Sequence, residues 1–469
     1  MHTSTTSTVP LVSWTAAQLL EATQGYWLND QAPNTEIKRI LTDSRDAEAG
    51  DAFLALKGER FDAHAFITRV AEQGCQVAIV SQPIDAEICQ LVVPDTRLAL
   101  GQLGAYRRAQ NPQLKVIALT GSSGKTTTKE MLGSILSRIA PTLVTRGNLN
   151  NDLGVPVMLL ELRPEHQYAV MELGASHQGE IDYTSNLVQP LVAGIINIGT
   201  AHLGEFGGRD GICRAKSEIY AHIAPNGTSI VPAADDFADS IRQAVQTEQV
   251  LSFGAGGEIF ATEIELQAQS ATFKLNTPQG VRQVNLPFAG EHNVQNATAA
   301  AAFALAVGIS LDDIVLGLEQ AVGAKGRLNF IQQGRHLLID DTYNANPTSM
   351  RAAAEVLAQQ EGVRVMVMGD IGELGSSAAQ QHYMLGRDLV SVKGLNFVVA
   401  VGEFAPAAQE GARSTQYGKK MQAFLTQEQA LPFLLSLIET HQPQSMSFLF
   451  KGSRYTHMET LMADLMEKL

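Results

Sequence analysis

Apolar residues in the first hundred positions form short β-like runs and one helical stretch. Residues Glu36–Leu56 contain short β segments separated by Asp-Ser and Gly-Asp turn pairs. The stretch Phe61–Val80 has the spacing of a helix that leads into a strand over Gln76–Val80. The pattern predicts a small α/β domain that ends at the Asn111-Pro112 pair.

Longer apolar runs follow Pro112. Three of them, Val116–Leu119, Tyr168–Met171 and Ala193–Ile198, end in glycine-rich or polar loops and are separated by helical stretches. Unbroken apolar runs of strand length are typical of a parallel sheet that is covered on both faces. The middle of the chain is therefore expected to have the architecture of a nucleotide-binding α/β domain.

A third series of strands begins near residue 336. The predicted strands are His336–Ile339, Val363–Met368, Phe397–Val401 and Phe448–Phe450, and each of the last three runs into a glycine. Ligands of open α/β sheets bind at the carboxyl ends of strands, so these loops are candidate walls of a site. With a second boundary between Gly323 and Gly334, three α/β domains are predicted, over residues 1–111, 112–326 and 327–469.

Composition and charge narrow the class of protein. The 469 residues are 45% hydrophobic and 17% charged, which is typical of a globular chain. A net charge of −14 gives no electrostatic reason to expect nucleic-acid or membrane-surface binding. Three cysteines support neither a disulfide framework nor a CxxC metal site, and the first ten residues lack the features of a secretory signal. We expect a cytoplasmic protein, without nucleic-acid partners or membrane insertion and monomeric.

The most informative segment is Val116–Thr128, which reads as a strand, a glycine loop and the start of a helix. The glycines let the backbone turn its N–H groups inward, Lys125 supplies a positive charge for phosphates, and Thr126 supplies a hydroxyl for Mg²⁺. The strict GxxxxGK[ST] spacing is not met, because Leu119 stands where the first glycine belongs. Context nevertheless favours a nucleoside triphosphate site over a simple Gly-Ser turn. The predicted nucleotide-binding residues of the loop are Gly121, Ser122, Ser123, Gly124, Lys125, Thr126 and Thr127.

Two further side chains follow predicted strands of the same sheet. Glu172 ends the strand Tyr168–Met171, and His202 lies just past Ile198. A carboxylate at a strand end suits Mg²⁺, which prefers oxygen ligands, although a solvated end of a strand and a core histidine are the alternatives. Lys216 lies on a predicted helix and by sequence alone is an ordinary surface charge.

The ordered motifs of the whole chain resemble the Mur ligase family. They are Thr120–Thr127, Gly147–Pro156, Met171–Gly174, Asn197–His202, Ala215–Glu218, Gly290–Asn296, Gly326–Leu328 and Asp341–Pro347. Thr42–Arg45, Ala55–Arg60 and Lys451–Arg454 are most similar to the member that adds D-alanyl-D-alanine to UDP-MurNAc-tripeptide. This resemblance implies an N-terminal domain for the uridine nucleotide, a central ATPase domain and a Rossmann-like C-terminal domain.

The resemblance also implies roles for individual residues. Lys216 would be carbamylated and would bind Mg²⁺ together with Thr126, Glu172 and His202. ATP would contact Asn293, Asn296, Arg327 and Asp341, with Lys125, His202, Lys216 and Arg327 as the catalytic residues. Substrate contacts are expected from Ser44, Arg45, Asn148, Asn150, Asn151, Tyr343 and Asn346. An Arg in a turn can also pair with a diphosphate on chemical grounds, while an internal contact with Asp43 is the alternative.

The implied reaction is ATP-dependent amide formation during peptidoglycan precursor synthesis. A carboxylate is a poor electrophile, so its phosphorylation to an acyl phosphate would precede attack by the amine of D-alanyl-D-alanine. Alternatives are a diaminopimelate- or lysine-adding ligase, a folylpolyglutamate synthase-like ligase, and a nucleotide-dependent switch protein. The Asp-Asn-Pro-Arg tetrapeptide of the first and the Asn-Lys-x-Asp motif of many switch proteins are both absent from the chain.

Overall fold

The protein is described here by a computed structural model that covers residues 11–58, 61–200 and 206–469. It divides into two compact units. Among the described residues, the first comprises those in the ranges 11–118, 140–174 and 180–191, and the second comprises those in the ranges 119–139, 175–179 and 192–469. In the described part, no helix is long and apolar enough to cross a membrane.

The strands of the described residues form four sheets. In spatial order, the N-terminal sheet contains Tyr26–Trp27, Cys89–Val92, Val77–Val80, Ala52–Leu54 and Ile40–Leu41. The central sheet contains Gln249–Phe253, Thr228–Pro232, Val192–Ile195, Lys115–Thr120, Tyr168–Glu172 and Thr142–Val144. A three-stranded sheet contains Phe260–Leu266, Ala271–Thr277 and Gly280–Leu286. The C-terminal sheet contains Asn329–Gln333, His336–Asp340, Met446–Lys451, Val363–Gly369, Phe397–Val401 and Met421–Phe424.

Helices alternate with most of these strands. The α-helices of the described residues are Ala16–Thr23, Ile67–Glu72, Thr96–Ala109, Lys125–Ser137, Gly154–Leu160, Glu180–Val188, Arg209–Ser217, Ala238–Ala244, Glu291–Ala306, Leu311–Glu319, Pro347–Ala358, Ala378–Ser391, Ala405–Arg413, Gln427–Thr440 and Met458–Met466. Short 3₁₀ helices span Leu28–Asp30, Ala63–Phe66, Glu218–Tyr220, Gly375–Ser377, Gly418–Lys420 and Arg454–Thr456.

The C-terminal sheet illustrates why continuous apolar runs predict buried parallel strands. Met366 and Met368 pack into one apolar cluster, whereas Val365 and Val367 pack into another. Because successive side chains of a strand point to opposite faces, a strand that is buried on both faces has no polar alternation. The strand pairs of this sheet are parallel except the edge hairpin of Asn329–Gln333 with His336–Asp340.

The α/β class is confirmed, with several differences in detail. The strand predicted over Ala193–Ile198 occupies Val192–Ile195, and the helix predicted after the phosphate loop spans Lys125–Ser137. The antiparallel sheet of residues 260–286 was not predicted, because its strands mix polar and apolar residues and lack a long apolar run.

Candidate active site

The phosphate loop Gly121–Gly124 joins the strand Lys115–Thr120 to the helix Lys125–Ser137. Gly124 has a φ of +76°, and a Cβ there would lie 2.2 Å from Oδ1 of Asn296, so glycine is required by both conformation and space. Nζ of Lys125 donates to the carbonyl of Gly121 at 2.8 Å, which holds the ammonium over the loop. A helix N-terminus with a lysine bound across the preceding turn is suited to an anion.

A cavity of about 560 Å³ opens beside this loop and lies within the second compact unit. Ser123, Gly124 and Thr127 contribute to its wall, whereas the buried Ser122 does not line it. Apolar side chains, including Ile196, Phe253 and Phe288, form another part of the wall. A largely apolar cavity with polar groups at one side has the size and chemistry of a nucleotide site.

Asn293 and Asn296, both predicted to bind the nucleotide, lie on the helix Glu291–Ala306, and Asn296 lies next to Gly124 of the loop. Asn296 donates to Oδ1 of Asn293 at 3.0 Å, and Asn293 donates to the carbonyl of Ala289 at 2.8 Å. Both are buried and line the cavity. They thus form a hydrogen-bonded pair, and Asn296 also packs against Gly124. The contact with Gly124 has no local signal in the sequence.

Arg327 approaches the phosphate loop from the segment that precedes the C-terminal sheet. Its Nη2 donates to Oγ1 of Thr126 at 3.4 Å, and its guanidinium carbon lies 4.5 Å from the ring centroid of Tyr343. Stacking on an aromatic ring orients a guanidinium without neutralising it. Its position at the cavity wall therefore suits it to stabilise phosphate charge.

Asp341 lies at the carboxyl end of the strand His336–Asp340 and also lines the cavity. Its Oδ2 accepts a hydrogen bond from Nζ of Lys451 at 2.7 Å, and its Oδ1 accepts from the N–H of Leu328 at 3.3 Å. Lys451 is 2% exposed, and burial lowers its pKa, although the adjacent carboxylate opposes that shift. The resulting buried ion pair holds the Asp341 carboxylate in place.

His292 is a cavity residue that sequence analysis missed. It is half-buried at the start of the helix Glu291–Ala306. Desolvation lowers its pKa to about 4, and the positive charge of Lys451 also lowers it, whereas the negative charge of Asp341 raises it. The sequence offers one signal for it, because His292 lies within the Gly290–Asn296 motif that also contains the two asparagines.

Two of the predicted metal ligands, Glu172 and Lys216, are buried. Glu172 is 2% exposed, and its Oε1 accepts from Nδ2 of Asn150 at 2.8 Å. Lys216 is 2% exposed, on the helix Arg209–Ser217, so it is not the surface charge that sequence alone suggested. His202 lies outside the described residues, and the described residues contain no group of three or more His, Cys, Asp or Glu that would hold a metal.

Several of the predicted substrate residues make hydrogen bonds to other protein groups. The guanidinium of the exposed Arg45 pairs with Asp43 and lowers the pKa of that carboxyl, as in the alternative reading of this turn, while the neighbouring Ser44 is half-buried. Asn148 is exposed, and Oδ1 of Asn151 accepts from the N–H of Gly154 at 2.8 Å. Asn346 caps the helix Pro347–Ala358 and donates to Oγ of Ser123 at 3.0 Å.

Comparison with known proteins agrees with this geometry. The family model of the Mur ligase middle domain matches residues 119–304, and that of the Mur ligase, glutamate ligase domain matches residues 326–454. The UDP-N-acetylmuramoyl-tripeptide–D-alanyl-D-alanine ligase of Escherichia coli (strain K12) is 41% identical over 461 residues, which are 97% of this chain and 99% of that protein.

Solved structures give the same result. A crystal structure of MurF from Acinetobacter baumannii has a TM-score of 0.95 and 76% identity, covering 98% of this chain and 100% of that one. MurF ligase from Thermotoga maritima in complex with ADP has a TM-score of 0.80 and 26% identity, covering 92% of this chain and 97% of that one. The fold, the ordered motifs and these full-length matches together establish that the chain belongs to the Mur ligase family, among the UDP-N-acetylmuramoyl-tripeptide–D-alanyl-D-alanine ligases.

Proposed function

We propose that this protein uses ATP to join D-alanyl-D-alanine to UDP-MurNAc-tripeptide in peptidoglycan precursor synthesis. The single observation that carries the proposal is the cavity of about 560 Å³ whose wall combines the phosphate loop, Arg327 and Asp341. Its apolar part suits a planar base, and its polar part suits a ribose and phosphates. The matching ligases of Escherichia coli and Haemophilus influenzae carry both substrates in their names.

The chemistry follows from the weakness of a carboxylate as an electrophile. Transfer of the γ-phosphoryl group of ATP to the terminal carboxylate of the tripeptide gives an acyl phosphate. The amine of D-alanyl-D-alanine then attacks the acyl carbon, and phosphate leaves as the amide bond forms. Lys125 and Arg327 place positive charge where the phosphoryl group carries negative charge, so positioning and electrostatics supply the rate without a protein nucleophile.

We further propose that Mg²⁺ assists this transfer, by neutralising phosphate charge when it is bound. The oxygens of Thr126 and Glu172 are suitable donors for this hard cation. Lys216 suits the role only after carbamylation, which replaces a cationic nitrogen with anionic oxygens. Burial of Lys216 supports a role inside the molecule, since its side chain is removed from bulk water.

Substitution of Lys216 tests the carbamate. Lys216→Ala is expected to be impaired and to regain part of its activity when formate or acetate is added, since a small carboxylate replaces the missing oxygens. Ligase rates with and without these anions provide the measurement, and Lys125→Ala, which lacks a different group, is the control that should not respond. Full activity of Lys216→Ala without additive would exclude the lysine as a metal ligand.

We place the reaction in the cytoplasm. The enzyme is proposed to be a monomer that acts only on small-molecule substrates. Its domain boundaries are placed near residues 111 and 326. The cytoplasmic assignment is supported by the dependence on ATP and on a nucleotide-linked substrate. The low charge content and acidic balance support the absence of nucleic-acid partners.

Amine-dependent phosphate release tests the proposed reaction directly. The purified protein, ATP, Mg²⁺ and UDP-MurNAc-tripeptide are combined with D-alanyl-D-alanine, meso-diaminopimelate, lysine or glutamate. Release is expected only with D-alanyl-D-alanine. Release with another amine, or release that needs no peptide substrate, would assign a different ligase or a nucleotide-dependent switch.

A further inference from the structure

Hydrogen bonding between two central strands continues beyond their ends into the phosphate loop. The strands Lys115–Thr120 and Val192–Ile195 both stop just before it. Past them, the N–H of Ile196 donates to the carbonyl of Thr120 at 2.8 Å, and the N–H of Ser122 donates to the carbonyl of Asn197 at 3.1 Å. The first half of the loop is therefore held as an extension of the sheet.

The side chain of Asn197 makes the next two bonds in this series. Its Oδ1 accepts from the N–H of Ser123 at 2.9 Å, and its Nδ2 donates to the carbonyl of Ser123 at 3.0 Å. A carboxamide has the same donor and acceptor as a peptide group, so it replaces the backbone partner that a longer strand would have offered. Both polar groups of the Ser123 main chain are thereby fixed.

The two hydrogen bonds between Asn197 and the main chain of Ser123, called the clamp below, lie just before the start of a helix. Gly124 follows Ser123 with a φ of +76°, and the helix begins at Lys125. The N–H groups in the first turn of a helix have no partner within the helix and are the donors available to an anion. Their direction is set by the peptide that enters the turn, which is the one that Asn197 holds.

A contact from the other side limits Ser123 further. Nδ2 of Asn346 donates to Oγ of Ser123 at 3.0 Å, while Oδ1 of Asn346 accepts from the N–H of Ser349 at 2.8 Å. Asn346 thus contacts only the side chain of Ser123, whereas Asn197 contacts both groups of its main chain. Of the two asparagines, Asn197 is the one that determines the backbone path.

We propose that Asn197 is a positioning residue for nucleotide binding, which acts through the main chain of Ser123 to preorganise the phosphate loop. The inference rests on the proposed ATP site and adds a residue to it. Preorganised donors bind more tightly because ordering them costs nothing at the moment of binding. Loss of the clamp should consequently weaken nucleotide affinity more than it changes the rate of the bound complex.

The test measures ADP binding to the full-length chain by calorimetry in the presence of Mg²⁺. Asn197→Ala is expected to raise the Kd for ADP by at least about tenfold, or about 1.4 kcal/mol. It should also raise the KM for ATP and leave kcat at saturating ATP within about threefold of the wild type, as expected when only binding is affected. Asn197→Ser removes both contacts to the Ser123 main chain without adding a charge beside the phosphates, so it is expected to weaken binding as well.

Asn276→Ala is the matched control. Asn276 is also half-buried, and its amide donates to the carbonyls of Phe260 and Lys274 in the three-stranded sheet. This variant loses similar hydrogen bonds and should keep the wild-type affinity for ADP. Melting temperatures of all variants, with and without ADP, separate a general loss of stability from a loss of binding.

The outcomes distinguish this inference from the proposed function. If the wild type does not bind ADP, the nucleotide site itself is wrong. If the wild type binds and Asn197→Ala binds equally well, or only melts at a lower temperature with unchanged affinity, the positioning role is rejected. Should Asn197→Ala fail to fold, the uncharged variant Asn197→Ser decides the question in the same way.

Discussion

At the scale of single residues, the site depends on a few polar side chains that are held by specific partners. Lys125 is bound across the loop to Gly121, Arg327 is stacked on Tyr343, and Asp341 is paired with Lys451. Motif spacing and family resemblance predict the two cations and the carboxylate as site residues. The pairing of Asp341 with Lys451 has no local signal in the sequence, because the two residues are 110 positions apart.

Removal of the loop lysine tests the most directly predicted residue. Lys125→Ala is expected to lower the rate of ligation by at least about 100-fold, or about 2.7 kcal/mol, because a charge focused on the transferred phosphoryl group is lost. Steady-state phosphate release with D-alanyl-D-alanine provides the measurement. The control is Lys393→Ala, in a chain segment away from the cavity lining. Turnover of Lys125→Ala near that of the wild type would reject the assigned role.

At the scale of elements, the strand, loop and helix of residues 115–137 were predicted with small errors at their ends. The apolar run Val116–Leu119, the paired glycines and the polar helix start are all local signals, so they can be read from consecutive residues. The predicted end of the neighbouring strand lies three residues too late, at Ile198 instead of Ile195, because Ile196 and Ile198 are also apolar and buried. Burial outside a strand has the same sequence pattern as burial within one.

The glycine at the helix start provides the test at this scale. Gly124→Ala combines a φ of +76° with a Cβ only 2.2 Å from Oδ1 of Asn296, so the loop or the Asn296 side chain must move. Both are parts of the proposed site, and nucleotide affinity is expected to fall by at least about tenfold. Gly308→Ala is the control, since its φ of +88° carries the same conformational cost but nothing lies within 4 Å of the added atom. Equal ADP affinity of Gly124→Ala and the wild type would show that the loop tolerates the displacement.

At the scale of the whole molecule, buried ionisable groups near the ends of the C-terminal strands contribute to the cavity and also affect stability. The C-terminal sheet is covered on both faces by apolar clusters, and its strand ends carry Asp341 and Lys451 to the cavity wall. His292 lies beside that pair, and burial keeps it neutral by lowering its pKa to about 4. Folding is therefore linked to the protonation of this histidine.

The linkage gives a prediction for the dependence of stability on pH. Between the unfolded pKa of about 6.5 and the folded value of about 4, the unfolded chain binds the proton that the folded chain does not. The contribution of neutral His292 is thus complete above about pH 7 and decreases as the pH falls through that window. Urea unfolding at several pH values should give His292→Gln a flatter dependence than the wild type between pH 4 and 6.5. Parallel curves for the two proteins would contradict the lowered pKa.

The sequence by itself determined the α/β class, the phosphate loop and the identity of its charged residues, because hydrophobic periodicity and short motifs depend on neighbours within a few positions. Only the tertiary structure decided which distant groups meet: Asn296 at Gly124, Asn197 at Ser123, and Lys451 at Asp341. It also placed Lys216 in the interior and paired Arg45 with Asp43. The physical reason is that burial and long-range hydrogen bonds are set by the path of the folded chain, which adjacent residues do not encode.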